Sequence, residues 1–99
     1  MKVQNVQGKS GAVANQFIIT DEGRGALGNF IKREVFQSYD SVIAIRTAWP
    51  DVVRIELDAD KWDYSRTTGK YRNLFLGETK SETEKKIKSG EYALANLNK

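Results

Sequence analysis

Ser41-Val42-Ile43-Ala44-Ile45-Arg46-Thr47-Ala48-Trp49-Pro50-Asp51-Val52-Val53-Arg54-Ile55-Glu56-Leu57-Asp58 is the stretch on which the fold class turns. Val42 to Ile45 form an unbroken apolar run, which implies burial on both faces and hence a central strand. Trp49-Pro50-Asp51 reads as a turn, because Pro50 fixes φ and removes a backbone donor. Val53, Ile55 and Leu57 then alternate with Arg54 and Glu56, the two-residue period of a half-buried antiparallel strand.

Upstream, Ala12 to Thr20 is rich in β-forming residues and reads as another strand. Asp21 to Asn29 opens with Asp-Glu-Gly and holds three glycines, the chemistry of a turn or loop. Phe30 to Gln37 is ambiguous: Phe30, Ile31, Val35 and Phe36 suit a helix about as well as an irregular strand. A strand is preferred, because Ser38-Tyr39-Asp40 is turn-like and a β run follows. Met1 to Gly11 is polar and is expected to be a flexible leader.

Downstream of Asp58 the period changes. Ser65 can cap a helix in which Tyr64, Thr67, Thr68, Tyr71, Leu74 and Phe75 recur at helical spacing, and Gly77 can end it. Thr79-Lys80-Ser81-Glu82 is a capping box for a second helix. Glu82 with Lys86, and Glu84 with Lys88, are i,i+4 pairs in the favourable order. Ile87 is the only strong apolar residue of that helix, which places it at the surface; Gly90 closes it. Tyr92, Leu94 and Leu97 are expected to anchor the tail as a short final strand. Strands followed by helices indicate an α+β domain. The expectation is a small antiparallel β-sheet of three to four strands, two C-terminal helices and a short last strand, with residues 1–11 as leader and 12–99 as one domain.

The 99 residues are one domain's worth of chain, and 39% hydrophobic with 29% charged residues fits a globular protein rather than a disordered one. No apolar run approaches the roughly 18 residues that cross a bilayer, and the polar N-terminus shows no export signal. A cytoplasmic location in a bacterial host is therefore expected. The chain has no cysteine and no histidine, so disulfides, thiolate nucleophiles, Ser-His-Asp triads and the usual zinc sites are excluded. No cofactor and no metal are expected. The net charge is +3, with acids interspersed nearly everywhere, which only mildly favours nucleic acid as a partner.

Three groupings deserve weighing as sites. Gly23-Arg24-Gly25-Ala26-Leu27-Gly28 matches G-x-G-x-x-G, but that pattern binds dinucleotides only where it opens a helix within a βαβ unit. The flanking segments read as antiparallel strands, so a loop is preferred, one that could touch a partner through Arg24 and Leu27. Asp58, Asp60 and Asp63 lack the glycine and terminal glutamate of a calcium loop, and a turn at the end of a strand is the preferred reading. Lys61, Arg66, Lys70 and Arg72 surround Trp62, Tyr64 and Tyr71; basic residues among aromatics can hold phosphates and stack bases. Against that, Tyr71, Leu74 and Phe75 share a stripe that suits a core. Arg66, Lys70 and Asn73 line the opposite face, where they could meet water or an acidic partner.

The run from Trp62-Asp63-Tyr64-Ser65-Arg66-Thr67-Thr68 to Gly77-Glu78, with Thr79, Glu82, Ile87 and Gly90-Glu91-Tyr92 and the upstream Phe36-Gln37-Ser38-Tyr39-Asp40-Ser41, resembles a domain of unassigned function. That domain occurs in small proteins of phages and plasmids of Gram-positive bacteria, and the likeness covers residues 35–97. The resemblance implies a non-enzymatic binding protein from a mobile element. The reading it favours is an inhibitor of host defence of the anti-CRISPR type, acting on a type II CRISPR effector nuclease or its guide-RNA assembly. The alternative is a small RNA- or DNA-binding regulatory module. A positive net charge points away from mimicry of DNA. Guide-RNA competition or an acidic protein face suits it better. Partner contact is expected through Arg66, Lys70 and Arg72, with Trp62 and Trp49 as aromatic anchors and Arg24 from the glycine loop.

Overall fold

The computed structural model describes residues 1–23 and 31–98. The elements run β1 (Lys2–Gly8), β2 (Gly11–Glu22), β3 (Lys32–Ser38), β4 (Ser41–Ala48), β5 (Val53–Asp58), α1 (Arg66–Leu76), α2 (Lys80–Ser89) and β6 (Ala93–Ala95). The strands form one six-stranded sheet in sequence order. Neighbours from β1 to β5 are antiparallel, whereas β6 runs parallel to β5. A parallel neighbour needs a crossover connection, and here α1 and α2 supply it. The α+β class is as expected, but the sheet is mixed and has six strands rather than three to four. No helix among the described residues is long and apolar enough to cross a membrane.

The strand missing from the sequence reading, β1, lies at one edge, and β6, the expected short final strand, lies at the other. Residues 1–11, expected as a leader, form β1 and its turn, with Val6 in the core at 6% exposure. An edge strand pairs on one side only, so polar Lys2, Gln4 and Gln7 are accommodated there without an alternating pattern. β6 is short, and the chain after it is fastened by side chains. Asn98 bonds both backbone groups of Val42, and Asp58 Oδ1 accepts from Leu97 N at 2.8 Å.

Two hairpins set the register. Gly8 pairs with Gly11 across Lys9-Ser10, and Gly11 takes φ +107°, a conformation that favours glycine. Ser38 pairs with Ser41 across Tyr39-Asp40. Tyr39 adopts a positive φ of 56° and donates its N–H to the carbonyl of Asn15, itself at φ 63°. Asn15 sits where β2 leaves regular pairing with β1: Asn5 faces Phe17, yet Gln7 faces Ala12. Asn5 Nδ2 bonds Val13 O across this bulge. The bulge re-aims the hairpin tip, which comes to flank α1.

Only one face of the sheet is covered by the helices. Phe36, Ala44 and Leu57 stand in line across β3, β4 and β5 and are fully buried with Ile43. Phe36 stacks on Phe75 of α1 with ring centres 5.8 Å apart. Tyr92, Val6 and, at the margin, Ile18, Ile55, Trp62, Tyr71, Leu76 and Ile87 complete the core. Ile43 is the extra residue of a second bulge, between the Phe36–Ala44 and Gln37–Val42 pairs. This lets two consecutive residues face inward. The Val42–Ile45 run thus arises from a bulge rather than from burial on both faces. Val42 and Ile45 are only half-buried on the other side, where Val3, Ile19, Val35 and Ile45 form a register row.

One-sided burial has a measurable signature. Phe36→Ala should cost about 3–5 kcal/mol, whereas the adjacent Val35→Ala should cost roughly 1 kcal/mol or less. Equal shifts of the two variants in a urea melt would contradict the one-sided core.

Candidate functional site

Helix α1 is the element with surface to spare. Its sequence starts at Ser65, whose hydroxyl accepts from Thr68 N, and stops at Gly77, in the left-handed region at φ 70°. Both caps are where the sequence puts them. The buried face is Thr68, Gly69, Arg72 and Phe75, and two of its four residues are strongly polar. Each has a partner. Thr68 Oγ1 lies 2.9 Å from Ser38 Oγ of β3. Arg72 is 1% exposed; its Nη1 donates to Trp62 O at 2.7 Å and Asp63 Oδ1 at 3.1 Å, and Nη2 to Asn73 Oδ1 at 2.9 Å. The guanidinium also stacks over Trp62, 5.2 Å from the ring centre.

The structure places Arg72 in the interior, bonded within the chain, and sets its guanidinium over the half-buried Trp62. The reason is local: Trp62 and Asp63 precede the helix and supply the acceptors that a buried guanidinium needs. Leu74, expected in the core stripe with Tyr71 and Phe75, is 56% exposed. Trp49 is half-buried beside the 49–52 turn, where its backbone N–H bonds Val52 O. Arg24, Leu27 and most of the glycine motif fall outside the described residues.

Arg66 and Lys70 are exposed one turn apart, with Asn73 and Leu74 continuing the face. Two depressions share Lys70 and Asn73. The first, about 770 Å³, lies between α1 and the β1–β2 hairpin and is lined by Lys9, Ala12, Val13, Tyr71 and Leu74 among others. The second, about 620 Å³, lies between α1 and the start of α2, lined by Asp63, Ser65, Arg66, Gly69, Arg72 and Lys80 beside the shared pair. The hairpin and Lys80 are the contributors that sequence reading missed. They belong to the surface only because the β2 bulge and the α1–α2 connection bring them there.

The carboxylates whose types would suit metal or acid–base work have other tasks. Asp58 is 3% exposed and caps its own turn, Oδ2 accepting from the backbone of Asp60 and Lys61. Among the described residues no group of three or more His, Cys, Asp or Glu could hold a metal ion. Burial works to raise the Asp63 carboxyl, but hydrogen bonds and charge from Lys80 and Arg72 outweigh it and its pKa is lowered. Lys80 Nζ stands 2.7 Å from Asp63 Oδ2, tying α2 to the loop before α1. Glu78, at the junction of the helices, accepts from Thr83, Lys86 and Tyr92 at 2.6, 2.7 and 2.9 Å. Its pKa too is lowered, against the opposing effect of burial.

A family model of unknown function, DUF8033, matches residues 1–91. The chain belongs to that family. The match takes in β1 and the hairpin as well as the Trp-Asp-Tyr-Ser box, so the edge strand is part of the family's domain. No curated protein and no solved structure matches the chain.

Two outcomes follow from this geometry. Gly69 costs helix stability, and a Cβ there would meet Arg72 Nη2 at 3.6 Å, Arg72 Nη1 at 3.7 Å and Asp63 Oδ1 at 3.7 Å, all ordinary contacts. Gly69→Ala should therefore stabilise the fold by about 0.5–1 kcal/mol in a urea melt; destabilisation would refute this account. The second concerns pH. Asp63 and Glu78 have folded pKa values below their unfolded ones, so their stabilisation is complete above about pH 5 and is lost as pH falls through the folded values. For Lys86 the hydrogen bond to Glu78 raises the pKa; for Tyr92 burial, then Glu78, does so. Their stabilisation holds below about pH 10 and is lost as pH rises further. Melting temperature should be flat between these limits. Glu78→Gln should cost about 1–3 kcal/mol at pH 7 and shallow the acid-side decline; an unchanged acid slope would refute the assignment.

Proposed function

We propose that the protein works without catalysis, by docking the outer face of α1 onto an acidic surface of a partner protein. The observation that carries this reading is the continuity of Arg66, Lys70 and Leu74 with the apolar groove against the β1–β2 hairpin. Cations steer an acidic partner and give specificity, while apolar area beside them supplies the desolvated contact that holds it. The lack of histidine and cysteine, and the structural engagement of Asp58, Asp63 and Glu78, support binding over catalysis. The resemblance to accessory proteins of mobile elements supplies the context. In it, the chain inhibits a host defence system in the anti-CRISPR manner, with a type II CRISPR effector nuclease as the partner to test.

A nucleic-acid reading is favoured by the basic residues alone. It is less well served by the aromatics. Arg72 lies over Trp62, and Lys61 and Lys70 lie 5.1 and 5.3 Å from the Tyr64 and Tyr71 ring centres, so each ring already has a cation at one face.

Tagged protein should retain a type II effector from a Gram-positive lysate after nuclease treatment. The variant combining Arg66→Glu with Lys70→Glu should lose it by at least about tenfold, since like charges across an interface cost several kcal/mol. Retention only before nuclease treatment would transfer the reading to nucleic acid. Failure to retain the effector under either condition would reject the defence-inhibitor reading.

A further inference from the structure

The cleft between α1 and the start of α2 has a charge and a floor that the docking face does not require. It gathers four cations, Arg66, Lys70, Arg72 and Lys80, around the single carboxylate of Asp63. That carboxylate is already bonded by Arg72 and Lys80, which leaves an excess of three positive charges. Glu84 attracts Lys80 from one turn further along α2, but does not line the cleft. Arg72 is buried and its Nε has no hydrogen-bond partner, although buried polar atoms rarely go without one. Above it, the helix carries glycine at position 69. A Cβ there would fit at ordinary contact distance beside Arg72 and Asp63, so packing gives no reason to leave it out, and helix propensity argues for including it. Arg72 is thus the closed floor of the cleft, and Arg66, Lys70 and Lys80 are the exposed cations around it.

We infer that this cleft is a binding site for a phosphate monoester, either inorganic phosphate or a phosphorylated side chain. A phosphomonoester carries about −1.5 to −2 charges at pH 7, which matches an excess of three far better than one carboxylate does. Lysine ammoniums serve phosphate as point charges and the arginine fork can bond it bidentately. A nucleic-acid backbone fits less well, because its phosphodiesters carry one charge each against the roughly −1.5 to −2 of a monoester. The site shares Arg66 and Lys70 with the docking face but does not depend on the protein partner.

The test is a titration of the full chain, followed by amide NMR at constant low ionic strength. The probes are inorganic phosphate, a short phosphoserine peptide with its unphosphorylated twin, and a single-stranded oligonucleotide. Saturable shifts centred on residues 65–70 and on Lys80 are expected with phosphate and the phosphopeptide, and none with the twin. Saturation by phosphate but not the phosphopeptide would identify a free-anion site, and the reverse a site for modified protein; both support the cleft. Replacing Lys70 and Lys80 together by Gln should weaken binding by about tenfold or more while keeping the fold. Lys85→Gln with Lys88→Gln, on exposed α2, should change nothing. Equal losses in that control pair would mean diffuse attraction and overturn the site. Tight binding of the oligonucleotide with none of phosphate would overturn it in favour of nucleic acid. Loss of effector capture with phosphate binding intact would reject the docking reading alone.

Discussion

The structure depends on burying one guanidinium. Arg72 lies under α1 with essentially no exposure, and an unpaired charge there would cost several kcal/mol. The chain meets that demand with the two residues that end the loop after β5: Trp62 gives its carbonyl and its ring face, and Asp63 gives its carboxylate. Asp63 in turn holds Lys80 at the start of α2. One charged cluster therefore fixes the loop, the first helix and the beginning of the second. The box of residues that carries the family resemblance is this device in linear form. Trp62 stacks, Asp63 pairs, Ser65 caps and Thr68 bonds the sheet through Ser38.

A helix anchored by polar contacts needs less apolar surface, which bears on how the sheet is covered. Arg46 of β4 reaches α1 from the sheet side, bonding Phe75 O at 2.9 Å with its guanidinium 4.4 Å from the Phe75 ring centre. Its other partner is Glu34 on β3 at 3.0 Å. The Phe36–Phe75 stack and this bridge seat the helix over the middle strands. Few large apolar residues are then required of α1, and Leu74 is left on the outside.

Sequence patterning reached the elements whose signal is local. Alternation marked β5, the β-rich runs marked β2 and β4, and capping chemistry placed Ser65, Gly77, Thr79 and Gly90 at the ends of the helices. It failed where the reason is non-local. β1 is polar because it lies at an edge, and only Val6 reveals it. The parallel pairing of β6 follows from the crossover, which Ala93-Leu94-Ala95 does not encode. Arg72 looked like surface because its carboxylate partner lies nine positions away and beyond the helix start. Of the proposed site, Arg66 and Lys70 were legible as a helical face. Lys80 and the hairpin tip were not, since a bulge and an interhelical turn carry them there.

The same helix therefore divides its cations by role. Arg72, fixed by three hydrogen-bond acceptors, cannot move toward a partner without breaking the cluster that seats both helices. Arg66 and Lys70, both at the surface, take no part in that cluster. A ligand drawn to this face would meet exposed cations above a buried one. On the proposed reading, that separation would let the cleft and the neighbouring groove change occupancy without loosening the core, because among the described residues the side-chain bonds that fasten α1 to the sheet run through Thr68 and Phe75. What cannot be separated is charge: any anion held near Gly69 lowers the positive field that the groove presents next door. Occupancy of the cleft would thus weaken attraction of an acidic partner to the α1 face, coupling the two sites through their shared lysine.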